Sequence, residues 1–114
     1  MKFTLEVDTK RLKISALSGV TSAVTDPDVL DKIARQYSIG TIFIAVAANK
    51  NTREDTFNFM INYMKNNKCN GKYDIYKRIA TNPNSTKSIL DKVIEMNHPS
   101  LTKLAKEHPN YKEQ

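Results

Sequence analysis

The chain has 114 residues, of which 39% are hydrophobic and 26% charged, and a formal net charge of +6, values typical of one soluble domain with a modest core. It contains no apolar run near the ~20 residues of a membrane-spanning helix and no signal-peptide profile after Met1, so we expect a cytoplasmic protein without membrane contact. The single Cys69 excludes an intramolecular disulfide framework, and with only His98 and His108 beside it we expect no metal site.

The first segment, residues 1–19, alternates apolar and polar side chains. The alternation over residues 3–7 predicts a half-buried strand, and after a turn the alternation over residues 11–16 predicts a second strand. Thr9 equally permits a short helix that ends before Gly19. We expect the β-hairpin, whose role would be to cover the apolar end of a helical stack.

A pattern of four residues then recurs along the chain. Its copies are Thr25-Asp26-Pro27-Asp28, Ala48-Asn49-Lys50-Asn51, Thr81-Asn82-Pro83-Asn84 and Glu107-His108-Pro109-Asn110. The copies follow one another at intervals of 23, 33 and 26 residues, and repetition at such periods is typical of helical solenoids. Each copy has a polar residue that can accept a backbone N–H, and three have proline next, which is how a helix begins. Residues 20–114 are therefore predicted to form a mainly α domain of irregular helical repeats.

Apolar stripes on both sides of the recurring pattern predict pairs of helices, a short one before each polar turn and a longer one after it. The stripes of the longer helices are Val29, Leu30, Ile33, Ala34 and Tyr37, then Phe57, Met60, Ile61 and Met64, then Ile89, Leu90, Val93 and Ile94. The short helices are predicted at Val20 to Val24, Thr41 to Ala48, Tyr73 to Ala80 and Leu101 to Lys106.

Two copies resemble a known repeat. Residues 46–52 and 79–85 are similar to the variant leucine-rich repeat of bacteria, whose units run V-A-x-N-P-N-T before an aliphatic helix. The resemblance covers about residues 20–110. It implies alternating short and long helices coiled into a right-handed superhelix, so the expected fold is a short right-handed α-solenoid with a small N-terminal β-hairpin cap.

The chain departs from that repeat in several places. Lys50 replaces the proline, His108 replaces the asparagine, and the 33-residue interval contains an insertion relative to a unit of roughly 24 residues. One member of the family carries an iron–sulfur cluster on an additional cysteine-rich segment. A chain with one cysteine lacks the four thiolates that such a cluster normally needs, so we expect no cofactor.

The insertion falls at residues 65–78, where five basic side chains accompany one acidic side chain. Residues 58–114 carry ten Lys or Arg against five Asp or Glu, so this half holds most of the net charge. One interpretation is a phosphate-contacting loop in which Tyr73 or Tyr76 stacks on a base. The other is a solvated connection whose tyrosines pack back on the solenoid. The positive charge also has an explanation that involves no partner: it can follow from the overall lysine-rich, arginine-poor amino-acid usage of the chain.

Residues of catalytic type are better explained as structural. His98 and His108 each precede a proline, where helix capping accounts for them, and the three aspartates of residues 26–31 lie where carboxylates complement a helix dipole. A helix-turn-helix is excluded because its second helix, residues 41–48, has one threonine and otherwise no polar side chain for base edges. The chain has no nucleophile elbow, phosphate-binding glycine loop or paired-carboxylate motif, so we expect no enzymatic activity.

Stacked helical repeats produce extended surfaces, so we expect a non-enzymatic binding module that docks a protein partner, such as a phage- or plasmid-encoded inhibitor of a host nuclease or defence complex. The alternative is a basic DNA- or RNA-binding protein that makes mainly phosphate contacts. No small-molecule substrate is expected. The candidate contact residues are Lys65, Lys68, Lys72, Tyr73, Tyr76, Lys77, Arg78, Lys87, Lys92, Lys103 and Lys106.

Overall fold

The computed structural model describes residues 16–112, which form eight helices and no strand. Helix α1 covers residues 16–21. The others are α2 (Pro27–Gln36), α3 (Gly40–Ala48), α4 (Glu54–Asn66), α5 (Lys72–Thr81), α6 (Lys87–Ile94), α7 (Pro99–Glu107) and α8 (Pro109–Lys112). Within these residues no helix has both the length and the apolar character that crossing a membrane requires.

The helices from α2 onward stack in two layers. One layer contains α3, α5 and α7, each packed on the next, and the other contains α2, α4, α6 and the short α8. Helices that follow one another along the chain, such as α2 and α3 or α5 and α6, connect the layers. This is the arrangement of a helical-repeat protein, in which each unit contacts mainly its neighbours.

The core lies between the layers and contains most of the predicted stripes. The stripe of α4 is wholly buried, α6 buries three of its four stripe residues, and α2 buries Leu30 and Ala34. Val29 is the exception, with 40% of its surface exposed, because α2 is the first helix of its layer. The 3.6-residue period therefore identified the buried face of each helix.

Asparagines of the recurring pattern join each repeat to the one before it. Asn49 donates through Nδ2 to the carbonyls of Thr21 (2.9 Å) and Val24 (2.8 Å), and its Oδ1 accepts the N–H of Asn51 at 2.8 Å. Asn82 makes the same set of bonds one repeat later, with the carbonyls of Ala47 and Asn49 and the N–H of Asn84. Both buried amides are thereby satisfied, and consecutive turns are held together.

His108 occupies the asparagine position of the last copy. Its Nδ1 accepts the N–H of Asn110 at 3.0 Å, and its Nε2 lies 2.7 Å from the carbonyl oxygen of Asn82. Because a carbonyl oxygen only accepts, Nε2 donates this hydrogen bond while Nδ1 accepts the other. The imidazole thus provides one acceptor and one donor where asparagine would, which explains why the repeat accommodates this departure.

The predicted N-terminal β-hairpin cap is wrong. Residues 16–19, which were assigned to the cap, are helical in α1, and the Thr21 hydroxyl donates to the carbonyl of Leu17 at 2.6 Å across one helical turn. Leu17 packs against the core, so tertiary contact overrides a short alternation that fits either structure. No strand occurs within residues 16–112, and the remainder of the hairpin assignment, residues 1–15, lies outside the described residues.

Helix lengths do not follow the predicted alternation of short and long. Helix α4 has 13 residues, but α6, a predicted long helix, has 8, and α5, a predicted short helix, has 10. The three later short helices are confirmed, since their predicted ranges lie within α3, α5 and α7. The first, predicted at Val20 to Val24, is displaced toward the N terminus, because α1 ends at residue 21.

Candidate functional site

The basic insertion, residues 65–78, is mostly helical rather than a long loop. Helix α4 continues to Asn66 and α5 begins at Lys72, which leaves only residues 67–71 as a connection. That connection lies against the start of α3, where a Cβ at Gly40 would come 2.1 Å from the Asn70 carbonyl oxygen. Only glycine permits this approach, so the connection is held in place by packing.

Tyr76 is not available at the surface. Its side chain is 2% exposed and belongs to the core, and its hydroxyl is one of the buried polar groups without a hydrogen-bond partner. Burial raises the pKa of this phenol, with a further contribution from Cys69. Tyr76 is therefore not available for stacking on a base, because the helical period directs it into the core.

Tyr73, by contrast, is 45% exposed and links α5 to the start of α7. Its hydroxyl lies 2.9 Å from the Ser100 hydroxyl, and its ring centroid lies 4.8 Å from that of His98. Ser100 is in turn 3.1 Å from Nδ1 of His98. The aromatic ring is thus exposed, but its orientation is restrained by two neighbours.

Basic side chains lie on α5, on α7 and in the connection before α5, on the same layer as Tyr73. The residues are Lys68, Lys72, Lys77, Lys103 and Lys106, and none of them forms an ion pair with a described residue. Asn82 and His108 occupy equivalent positions, so Lys77 and Lys103 are also equivalent and lie on neighbouring helices. Helices in contact are about 10 Å apart. We call these lysines and Tyr73 the α5/α7 face.

The remaining candidate residues do not extend this face. Arg78 lies on α5, but its Nε is bonded to Asp74 at 3.1 Å. Lys65, Lys87 and Lys92 belong to the other layer. The Lys65 ammonium lies 3.7 Å from a Glu95 carboxylate oxygen, and that of Lys87 lies 3.4 Å from Asp91 and over the Tyr111 ring. The predicted contact residues therefore divide between two surfaces.

Net charge differs between the layers because acidic residues are unevenly distributed. Residues 67–81 and α7 together carry six basic against two acidic side chains, whereas α2, α4, α6 and α8 carry six against five. Five of the six ion-pair contacts among the described residues lie on the α2, α4 and α6 side. The α5/α7 face is basic because it lacks acidic partners.

Metal-binding or nucleophilic chemistry finds little support in this part of the chain. Residues 16–112 contain no group of three His, Cys, Asp or Glu side chains placed to hold a metal ion. Cys69 is a free, half-buried thiol in the α4–α5 connection. Burial raises its pKa against the opposing charge of Lys72, which favours the less reactive protonated form.

A second surface was not predicted from the sequence. An open groove crosses the outward side of α2, α4 and α6, and its lining residues are Arg35, Asp55, Asn58, Phe59, Asn62 and Lys92. The sequence signal that could have identified it is the pair Asn58 and Asn62, one turn apart on the polar side of a predicted helix. Asparagine is a poor helix former, so such a pair needs another explanation.

Comparison of the chain with protein-family models, with curated proteins and with solved structures finds no match. The resemblance to the variant leucine-rich repeat, including the right-handed coil that it implies, stays a prediction. The functional assignment consequently depends on the geometry of the two surfaces described above.

Proposed function

We propose that the protein is a non-enzymatic docking module that binds an acidic surface of a protein partner through the α5/α7 face. The observation that carries the proposal is a set of five lysines that form no ion pair with a described residue and that share α5, α7 and the connection before α5 with the exposed, restrained ring of Tyr73. An aromatic anchor within a charged rim is a common arrangement of protein interfaces, where the anchor supplies affinity and the charges supply steering and selectivity.

A protein partner is favoured over nucleic acid by what the face lacks. Sequence-independent binding of single strands uses several stacking aromatics, but Tyr76 is buried and Tyr73 already contacts His98. The face as defined also has lysines as its only cations, so it has no arginine fork of the kind that reads guanine. The net positive charge still supports phosphate contacts, so DNA or RNA binding through lysines is the second candidate.

The sign of the charge also bears on an inhibitor of a nuclease or defence complex, which we retain as one form of the proposal. An inhibitor that imitates nucleic acid would need acidic side chains on its contact surface. The α5/α7 face is basic, so an inhibitor of this design would bind an acidic region of its target instead.

The test is affinity capture from a lysate of the native host, with and without nuclease, using wild type, Lys77→Glu/Lys103→Glu and Tyr73→Ala. We expect a stoichiometric protein that survives nuclease treatment and is lost with both variants, since a central aromatic anchor contributes about 2 kcal/mol or more. Phosphate contacts alone would be lost with the lysine variant but largely kept with Tyr73→Ala.

The matched control is Lys32→Glu/Lys50→Glu, which changes the charge equally at two exposed positions away from the face. It should leave capture unchanged. Recovery of nucleic acid with no persistent protein would support the second candidate, and capture that is insensitive to both face variants would refute the α5/α7 face as the site.

A further inference from the structure

The groove across α2, α4 and α6, lined by the six residues given above, faces away from the α5/α7 face. The buried residues of α4, among them Met60 and Ile61, point toward the α3, α5 and α7 layer, so Asn58 and Asn62 point outward. We call this surface the α4 groove. Any role for it is separate from the proposed docking function.

Polar groups in the α4 groove are mostly without partners among the described residues. Asp55, Asn58 and Lys92 make no side-chain hydrogen bond or ion pair there, and Asn62 only accepts a long bond (3.5 Å) from Asn66. The repeat asparagines behave differently, since both donors and the acceptor of Asn49 are used. The groove therefore presents amide donors and acceptors that the fold itself does not use.

These asparagines also carry a local cost. Asparagine inside a helix is about 0.5–0.7 kcal/mol less favourable than alanine at each position. Asn58 and Asn62 lie within the 13-residue α4 and gain no compensating bond to the backbone. Residues that lower helix stability and make no stabilising contact within the fold are expected where the sequence serves binding.

The side chain of Arg35 lies at one end of the groove in a restrained orientation. Its Nε is bonded to Asp31 at 2.9 Å and its guanidinium lies 4.6 Å from the Phe59 ring centre, which restrains the side chain, while its terminal nitrogens make no hydrogen bond to a described residue. Lys92 lies on α6, at the other end. The groove therefore has a cation on each side of α4.

We infer that the α4 groove binds an extended peptide with two carboxylates separated along its chain. The carboxylates reach Arg35 and Lys92, and Asn58 and Asn62 exchange hydrogen bonds with the main chain between them. An aspartate in the groove, Asp55, opposes a uniform polyanion such as nucleic acid, so the charge pattern selects separated carboxylates.

The test is selection of a displayed library of random octapeptides on wild type and on Asn58→Ala/Asn62→Ala. We expect enriched peptides with two acidic residues separated by uncharged positions, which bind the double variant at least about tenfold more weakly, the effect of losing two hydrogen bonds. Lys92→Gln should weaken the same peptides. Alanine favours the helix, so the double variant should unfold at the same or a higher temperature than wild type, and lost binding cannot be ascribed to misfolding.

Lys77→Glu/Lys103→Glu is the control for the other face and should not alter these peptides' binding. Peptides that are sensitive to this variant but not to Asn58→Ala/Asn62→Ala would occupy the α5/α7 face and overturn the inference while leaving the proposed function intact. Failure to enrich any peptide, or enrichment without paired carboxylates, would also overturn it.

Discussion

The two outward faces of the stack differ in how their charges are compensated. On the α2, α4 and α6 side, Asp31 lies within 4 Å of two arginines, and Lys65 and Lys87 also have acidic neighbours. On the α5/α7 face, the lysines have none within the described residues. The two layers of the same repeat thus differ: most charges are paired on the α2, α4 and α6 side, and the lysines of the other side have no acidic partner among the described residues.

The comparison shows that the repeat scaffold does not determine the chemistry of its surface. The core and the hydrogen bonds that Asn49, Asn82 and His108 make between repeats need only the inward residues of each unit and the polar turn. Outward positions of successive units are therefore free to differ, which is why two sides of one stack of repeats can differ in charge.

The largest effect is expected from a change in the core that both faces share. Ile61→Asp places a carboxylate at a position that is 2% exposed, which should cost several kcal/mol, comparable to the whole stability of a small domain. Denaturant unfolding should show a loss of the folded state together with the binding properties of both faces. Ser88→Asp, on the exposed side of α6, is the control and should unfold like wild type.

Replacing His108 tests the last of the hydrogen bonds that join one repeat to the next. His108→Leu removes both ring bonds and leaves the buried carbonyl of Asn82 without its imidazole donor, which should cost about 1–3 kcal/mol. His108→Asn supplies an acceptor and a donor again and should lie within about 1 kcal/mol of wild type. Equal destabilisation by the two variants in chemical unfolding would show that these hydrogen bonds do not explain how His108 stabilises the fold.

The two tyrosines of α5 should respond oppositely to loss of the hydroxyl. Tyr76→Phe removes a buried hydroxyl without a partner and should raise the free energy of unfolding by about 1 kcal/mol. Tyr73→Phe removes an exposed bond to Ser100 and should change it by less than about 0.5 kcal/mol, toward lower stability. Destabilisation by Tyr76→Phe would indicate that the hydroxyl has a partner in solution.

The smallest expected effect is the change in folding stability at acid pH that comes from Asp31, on the α2, α4 and α6 side. Burial opposes the charged form of Asp31, but Thr56, Arg35 and Arg53 together hold its pKa below the usual value. A carboxyl with a lowered folded-state pKa stabilises the fold above its unfolded pKa, and this contribution is lost as the pH falls below about 4. Asp31→Asn should therefore show a shallower loss of stability between neutral pH and pH 3. An unchanged slope would mean that Asp31 contributes nothing to the acid response.

The polar turns and the apolar stripes were predictable because both are local. A period of 3.6 marks the buried side of a helix, so α3, α5 and α7 and the core residues of α4 could be predicted directly. The expectation that the polar pattern begins a helix is confirmed at Asp26-Pro27, where α2 starts. It is wrong at Asn49 and Asn82, which cap the ends of α3 and α5, because α4 and α6 begin only at Glu54 and Lys87. The hairpin was wrong because a few alternating residues fit either structure. Leu17 is directed inward by its packing in α1, which no local pattern reveals.

The candidate site was only partly predictable for the same reason. The sequence showed that residues 65–78 are basic, contain two tyrosines and enter a helix at Tyr73, but it did not show that α4 continues to Asn66 or which ring is buried. It grouped Lys65, Lys87 and Lys92 with the lysines of α5 and α7. The structure separates them, because α4 and α6 pack side by side in one layer whereas α5 and α7 pack in the other.

The amino-acid sequence by itself determined a chain of helical repeats, the residues of its core and an excess of positive charge. Only the tertiary structure decided where that charge is neutralised, since ion pairs such as Lys65 with Glu95 join residues far apart in the chain. It also decided that Asn49 and Asn82 bond between repeats whereas Asn58 and Asn62 face solvent in a groove. One residue type serves two roles because the role depends on the neighbours that packing provides.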